Sequence, residues 1–405
     1  MLINCKTWQY ILFFIVFCSI PYAGIAQVNP SSSSQDAEAK PWFKTLSFRG
    51  YTQIRFNGLA SNPGLACDQC DKSWGGKEEF FIRRARIVLS GNVHDRVAIY
   101  IQQDLASSPA SGLLNFAQVR DLYADIFLNN QKTLRIRPGI SKIPFGFENL
   151  QSSQNRLPLD RNDGLNSAIA NERDLGVFLY ITPQKIRKRF AMLQNSRYKG
   201  SGDYGMIGLG LYNGQTLNKP DLNNNFHTVA RFTYPFELAN GQIIETGIQG
   251  YTGKYVLSSF NSETSHQNEY PDQRVAASLI VYPQPFGFQT EFNLGRGPQF
   301  VPGENSVQLR QLSGGYIMSM YHIMYHTMSF MPFARYHWYD GGKKHEPDAR
   351  SYMVSELELG IEWQPIPQLE LCIMYVFSDR TYEDFSLPDN RQAGTLIRTQ
   401  LQFNY

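Results

Sequence analysis

From Ala393 to Tyr405 the chain alternates between two kinds of position. Thr395, Ile397, Thr399, Leu401, Phe403 and Tyr405 share one face, and Leu396, Arg398, Gln400, Gln402 and Asn404 share the other. Period-two alternation marks a strand whose two faces meet different surroundings. A membrane barrel needs an apolar outer face, a polar inner face and an aromatic residue at the rim.

The same pattern predicts sixteen strands, near residues 46–57, 79–91, 94–104, 118–129, 132–140, 173–182, 204–213, 225–236, 242–252, 272–283, 286–296, 308–319, 328–339, 352–364, 368–379 and 393–405. Bacterial barrels have an even number of strands. The connections agree with this reading, because short turns such as Gly91–His94, Asn129–Lys132 and Pro283–Pro285 alternate with longer polar segments. One connection breaks the rhythm. Pro183 to Asp203 is long where a short turn is expected, and it carries the basic run Lys185-Ile-Arg-Lys-Arg189. A short helix there leaves sixteen strands, whereas an additional hairpin makes eighteen.

In such a barrel the face opposite the apolar residues lines water. Arg49, Gln53 and Arg55 fall there on the first strand, Arg84 and Arg86 on the second, Arg96 on the third, and Arg135 and Arg137 on the fifth. Glu356, Glu358, Glu362 and Glu370 fall there near the end of the chain. The reading is a wall with arginines early and carboxylates late. The arginines either guide anions or pair with carboxylates across a polar interior. The segment Ser141–Glu172 is the best candidate for a constriction, because a connection of that length is usually functional. Its alternative is an extracellular flap.

Met1–Ala26 reads as a cleaved signal peptide, with Lys6 ahead of a 13-residue apolar core and Ala23-Gly-Ile-Ala26 at the cleavage site. That core is too short to span a membrane. Residues 27–41 hold four consecutive serines and read as a flexible lead-in. Residues 42–405 form the barrel.

Composition adds little beyond this. The chain is 14% aromatic with a formal net charge of +3, too small to imply nucleic acid as a partner. Cleavage leaves Cys67, Cys70 and Cys372. Cys67 and Cys70 lie in a Gly- and Pro-containing loop and read as a small disulfide of an oxidising compartment. Cys372 reads as a lone buried or lumen-facing thiol. His322 and His326 stand at metal-ligand spacing for a helix, but they sit in an aromatic turn and are assigned no metal. No nucleophile elbow or phosphate loop is present, so no enzyme and no cofactor are expected.

The stretches Phe80-Phe-Ile-Arg-Arg-Ala-Arg-Ile-Val-Leu-Ser-Gly91, Arg135-Ile-Arg-Pro-Gly-Ile-Ser-Lys-Ile-Pro-Phe-Gly146, Glu172-Arg-Asp-Leu-Gly-Val177 and Gly202-Asp-Tyr-Gly-Met-Ile-Gly-Leu-Gly-Leu-Tyr-Asn-Gly214 resemble the phosphate-selective porin O and P family, in the form seen in Bacteroidetes-type outer membranes. The resemblance implies a sixteen-stranded homotrimeric porin of the bacterial outer membrane. It also implies an inward-folded third loop and a basic pore, with Arg84, Arg86, Arg135, Arg137 and Lys142 in the matching stretches. The expected function is passive diffusion of small hydrophilic solutes with a bias towards anions such as phosphate. Arg49, Arg55, Arg84, Arg86, Arg135, Arg137 and Lys142 are the expected lining, opposed by Glu356 and Glu358. A plugged barrel serving adhesion is the alternative. An outer-membrane enzyme ranks lower.

Overall fold

The computed structural model describes residues 42–59, 61–62, 65, 78–106, 117–169, 173–257, 268–301, 304, 306–345, 349–382 and 390–405. The segments expected to be a signal peptide and a lead-in, and the expected disulfide of Cys67 and Cys70, lie outside them. The strands are β1 (Ser47–Leu59), β2 (Glu79–His94), β3 (Val97–Asp104), β4 (Gln118–Phe127), β5 (Leu134–Lys142) and β6 (Arg173–Ile181). They continue as β7 (Ile207–Tyr212), β8 (His227–Glu237), β9 (Ile243–Val256), β10 (Glu269–Val281), β11 (Phe286–Val301) and β12 (Ser306–Tyr321). The last are β13 (Ile323–Tyr325), β14 (Met328–Gly342), β15 (Ser351–Ile366), β16 (Leu369–Tyr382) and β17 (Arg391–Asn404).

Both β12 and β13 pair with β14, so they form one stave interrupted at His322. The barrel therefore has sixteen antiparallel staves. It closes where β17 meets β1, with Tyr51 opposite Asn404 and Leu59 opposite Leu396. Closure leaves no unpaired edge, as a sheet in lipid requires.

Every second side chain faces out. On β17 Ile397 is 44% exposed while its neighbour Arg398 is 1% exposed. An outward Arg or Lys at mid-bilayer would cost about 2–4 kcal/mol, and this holds the register. The outer aromatics are unevenly spread. Phe232, Tyr336, Trp363, Phe377 and Phe403 decorate β8 to β17, and Phe48 and Phe80 mark β1 and β2. The outward positions of β3 to β7, such as Ile101, Leu122, Ile126, Leu175, Val177, Leu209 and Leu211, are aliphatic.

Two segments enter the lumen. The connection after β5 carries α1 (Phe147–Leu150) and α2 (Asp163–Ala168), both buried. The Asn162 side chain caps α2 by accepting from the Leu165 N–H. Gly164 sits so close to β12 that an added Cβ would lie 3.0 Å from Gly314 and 3.1 Å from Gly315. Bare backbone on both sides lets the loop lie flat against the wall. The flap reading is thereby set aside.

The second segment follows β6. It is a helix, α3 (Gln184–Asn195), and not a hairpin, so the eighteen-strand alternative fails. Ile186, Phe190 and Leu193 recur at helical spacing and are buried, giving α3 a packing face. Leu193 joins Phe147 of the loop and Ile243, Ile280 and Tyr282 of the wall in one apolar cluster. Arg189 donates to the Pro235 carbonyl and to Glu237. The basic run thus divides between anchoring and exposed positions.

Candidate functional site

Asp160 is the hub of the inward loop. Its Oδ2 accepts from Arg55 at 2.8 Å and from Arg398 at 2.5 Å. Arg83 and Arg84 approach its Oδ1 at 3.6 and 3.9 Å. Burial alone would raise this carboxyl, but the guanidiniums of Arg55, Arg398, Arg83 and Arg84 outweigh it and hold it well below the usual carboxylate range.

Arg83 was not expected here, because strict alternation points it outward. The register between β1 and β2 shifts after Gln53, whose partner is Arg84, while Ile54 pairs with Ile82. The extra residue is Arg83, and the bulge re-aims it. Three arginines within four positions, at 83, 84 and 86, are the sequence signal that one of them breaks phase.

The rest of the loop is tied to opposite walls. Ser153 meets the Tyr51 hydroxyl at 2.6 Å, accepts from Arg86 at 3.0 Å and offers its carbonyl to Gln53 at 3.0 Å. Across the lumen, Arg335 on β14 donates to Glu148 at 2.7 Å, to the Asp160 carbonyl at 3.0 Å and to Glu358. Arg274 on β10 donates to the Ser167 hydroxyl at 2.8 Å. Glu291 on β11 accepts from the Phe147 N–H at 2.5 Å.

Arg55, Arg84, Arg86, Arg135, Arg137, Lys142, Glu356 and Glu358 are buried inside the barrel. Arg49 is exposed and borders the lumen cavity described below. Arg96 is exposed and bonds Asn130 at the turn after β4, away from the lumen centre. The expected division into a basic early wall and an acidic late wall does not hold. Early arginines meet early carboxylates: Arg86 with Asp104 at 2.8 Å, Arg137 with Asp125 at 2.7 and 2.8 Å, and Arg173 with Asp121 at 2.9 Å. Late carboxylates meet late cations: Glu358 with Arg335, and Glu356 with Arg380 at 2.5 Å, with the His337 ring 2.8 Å from the same carboxylate. Neighbouring staves bring opposite charges into register, and pairing of buried charges outweighs segregation. Lys142 donates to the carbonyls of Leu150 and Gln151, where the loop turns.

Asp163, His337 and Glu356 place ligand atoms within 4.8 Å of one another. Arg380 on Glu356 and Lys343, 3.7 Å from Asp163, already supply positive charge there. The carboxylates of the group already belong to an ion-pair network. His322 bonds Ser329 at 3.1 Å. Cys372 is buried, its sulfur 3.6 Å from the Leu157 carbonyl.

On the side where β6 leads into α3, Lys199 crosses to β15 and contacts Glu362 at 2.5 and 2.7 Å. Burial opposes the Lys199 ammonium, but Glu362 outweighs it and raises its pKa. Gln151 of the loop donates to the Lys199 carbonyl at 2.6 Å. The two inserts therefore touch. Beside them a cavity of about 330 Å³ opens against the inner faces of β1 to β6.

A family model described as phosphate-selective porin O and P matches residues 67–405. The chain belongs to that family. It is an outer-membrane porin, a channel-forming barrel. Solved porin-type structures share its fold at low identity. The Acinetobacter baumannii outer membrane channel DcaP is 13% identical with a TM-score of 0.54, covering 89% of this chain and 97% of its own. Vibrio cholerae OmpT, solved in a trimer form, is 9% identical with a TM-score of 0.53, covering 89% and 99%. An anion-selective porin from Comamonas acidovorans is 8% identical with a TM-score of 0.50, also covering 89% and 99%. No curated protein matches the porin's sequence significantly.

Proposed function

We propose that this porin passes small hydrophilic solutes down their gradient and favours anions, inorganic phosphate among them. The carrying observation is the charge of the interior. Among the described residues, nineteen Lys and Arg are buried against thirteen Asp and Glu. The local pairs leave a positive surplus, and a confined positive field raises the local concentration of anions. Arg49, Arg55, Arg84, Arg86, Arg135, Arg137 and Lys142 are the proposed lining, with Glu356 and Glu358 as the acidic members. The family's name points the same way.

The proposed assembly is a homotrimer in outer-membrane lipid. A tilted strand needs about 9–11 residues to cross a bilayer. β3 has 8 and β7 has 6. The outer face of β3 to β7 also lacks the aromatic girdle that marks contact with lipid headgroups. A low, aliphatic, girdle-free sector suits protein neighbours better than lipid.

The test is the reversal potential of the reconstituted porin across a KCl gradient. A potential on the chloride side supports the anion bias, and a potential near zero rejects it. A barrel closed at rest is the second reading, favoured by the contact between the loop and α3. Absence of current from correctly folded barrels would select it.

A further inference from the structure

Beyond fixed charge, the cavity beside the two inserts has a recognisable chemistry. Arg49, Lys142, Arg135, Arg137, Arg173 and Arg187 border it, against Asp121, Asp125 and Asp203. Three carboxylates do not neutralise six cations, so the cavity attracts an anion. Its volume of about 330 Å³ lies at the lower end of small-molecule pockets, roughly 300–1,000 Å³.

Charge is only part of the lining. The Arg137 guanidinium lies 3.9 Å from the centre of the Tyr123 ring. Tyr123 in turn stacks on Tyr100, with ring centres 5.1 Å apart and planes within 9°. This column of guanidinium and two rings stands in the cavity wall, with Tyr100 at its end. Gly139 shapes the site. The β4–β5 register runs from Tyr123 opposite Gly139 to Ile126 opposite Ile136, with the residues between unpaired. Gly139 has φ +123°, and a Cβ there would strike the Leu122 carbonyl and the Tyr123 backbone. A glycine is thus needed for β5 to pass behind Tyr123.

Tyr100, Tyr123 and Tyr204 line the cavity, and among the described residues none of their hydroxyls has an intramolecular hydrogen-bond partner. Gln154 and Asn155 of the loop, and Gln194 and Asn195 of α3, line the same space. Bare inorganic phosphate would be held chiefly by the cations. Its oxygens can also accept from the phenols and the amides, but it has no use for a flat apolar ring face, nor for the amide oxygens, which accept and do not donate.

We infer that the cavity is a binding site for an anionic monosaccharide, a sugar phosphate or sugar acid. The ring lies on Tyr100, its hydroxyls reach the tyrosines and the amides, and its acidic group faces the surplus cations. This rests on the reading of the protein as a channel and names the solute class it favours.

The experiment measures block of the KCl current of the reconstituted porin by four probes: glucose 6-phosphate, glucuronate, glucose and inorganic phosphate. At least one of the two sugar anions should block at a concentration about ten-fold below glucose and below phosphate, equivalent to about 1.4 kcal/mol. Tyr100→Ala should reduce that advantage to within about three-fold, the loss of one stacking contact. Equal block by phosphate would overturn the sugar part, equal block by glucose the anionic part, and an undiminished advantage in the variant the assignment to this cavity. If the porin carries no current, calorimetric titration of the folded protein in detergent with the same probes decides the site independently. Selective heat with the sugar anions supports it, and its absence overturns it.

Discussion

Arg55 and Asp160 lie 2.8 Å apart although 105 positions separate them, one on the first stave and the other on the loop that follows the fifth. With Arg398 at 2.5 Å from the same carboxylate oxygen, the pair pins the loop to the seam where the barrel closes.

Asp160→Asn should release that pin. It would leave Arg55 and Arg398 in the interior without their shared anion, and breaking a buried pair costs about 3–5 kcal/mol, less where water enters. The expected result is a lower unfolding temperature and a noisier channel of higher conductance, read in a planar bilayer.

The same carboxylate sets an acid limit. Its pKa is depressed in the folded state, so its contribution is fully present above the unfolded value of about 3.9 and is lost only as pH falls through the lower folded value. Conductance noise from the loop should stay constant from pH 7 to about 4 and rise only below that range. A rise already near pH 5 would show that another group holds the loop.

On the other side of the lumen, Glu362→Gln removes the anion that Lys199 reaches. The segment following α3 should loosen, and trypsin should cut faster after the exposed Lys185 and Lys188. A digestion time course of folded variant and wild type checks this.

Arg84 faces the lumen, donating to Gln53 at 2.8 Å and lying 3.9 Å from Asp160. Arg84→Gln should lower the chloride-to-potassium permeability ratio by about two-fold, the scale of one charge in a wet, partly screened lumen. Reversal potentials at two salt concentrations measure it.

The subunit contact has its own test. In a background lacking Cys67 and Cys70, Val177→Cys on the aliphatic sector should cross-link between copies with a short bifunctional maleimide. Ile361→Cys, outward on the girdled side, should not. Cross-linking of both or of neither would place the contact elsewhere.

The staves were legible because lipid and water impose a two-residue period. Leu357, Leu359, Ile361 and Trp363 face out, and Glu356, Glu358 and Glu362 face in, as their alternation demands. What alternation misses are departures from its own period and contacts without a local signature. Arg83 turns inward through a bulge that only the pairing with β1 reveals. The partners of Arg335, Glu148 and Asp160, lie 187 and 175 positions away, and nothing near residue 335 announces them. The segment after β6 was ambiguous because its apolar residues are sparse. Only Ile186, Phe190 and Leu193 mark the helix face, inside a run dominated by charge.

The loop and α3 enter from opposite ends, yet they share an apolar cluster through Phe147 and Leu193 and a hydrogen bond from Gln151 to the Lys199 carbonyl. Neither can be displaced without disturbing the other. The channel's resistance therefore belongs to one mechanical unit rather than to two valves in series, and a push on α3 at one end of the barrel is felt by the loop that entered from the other.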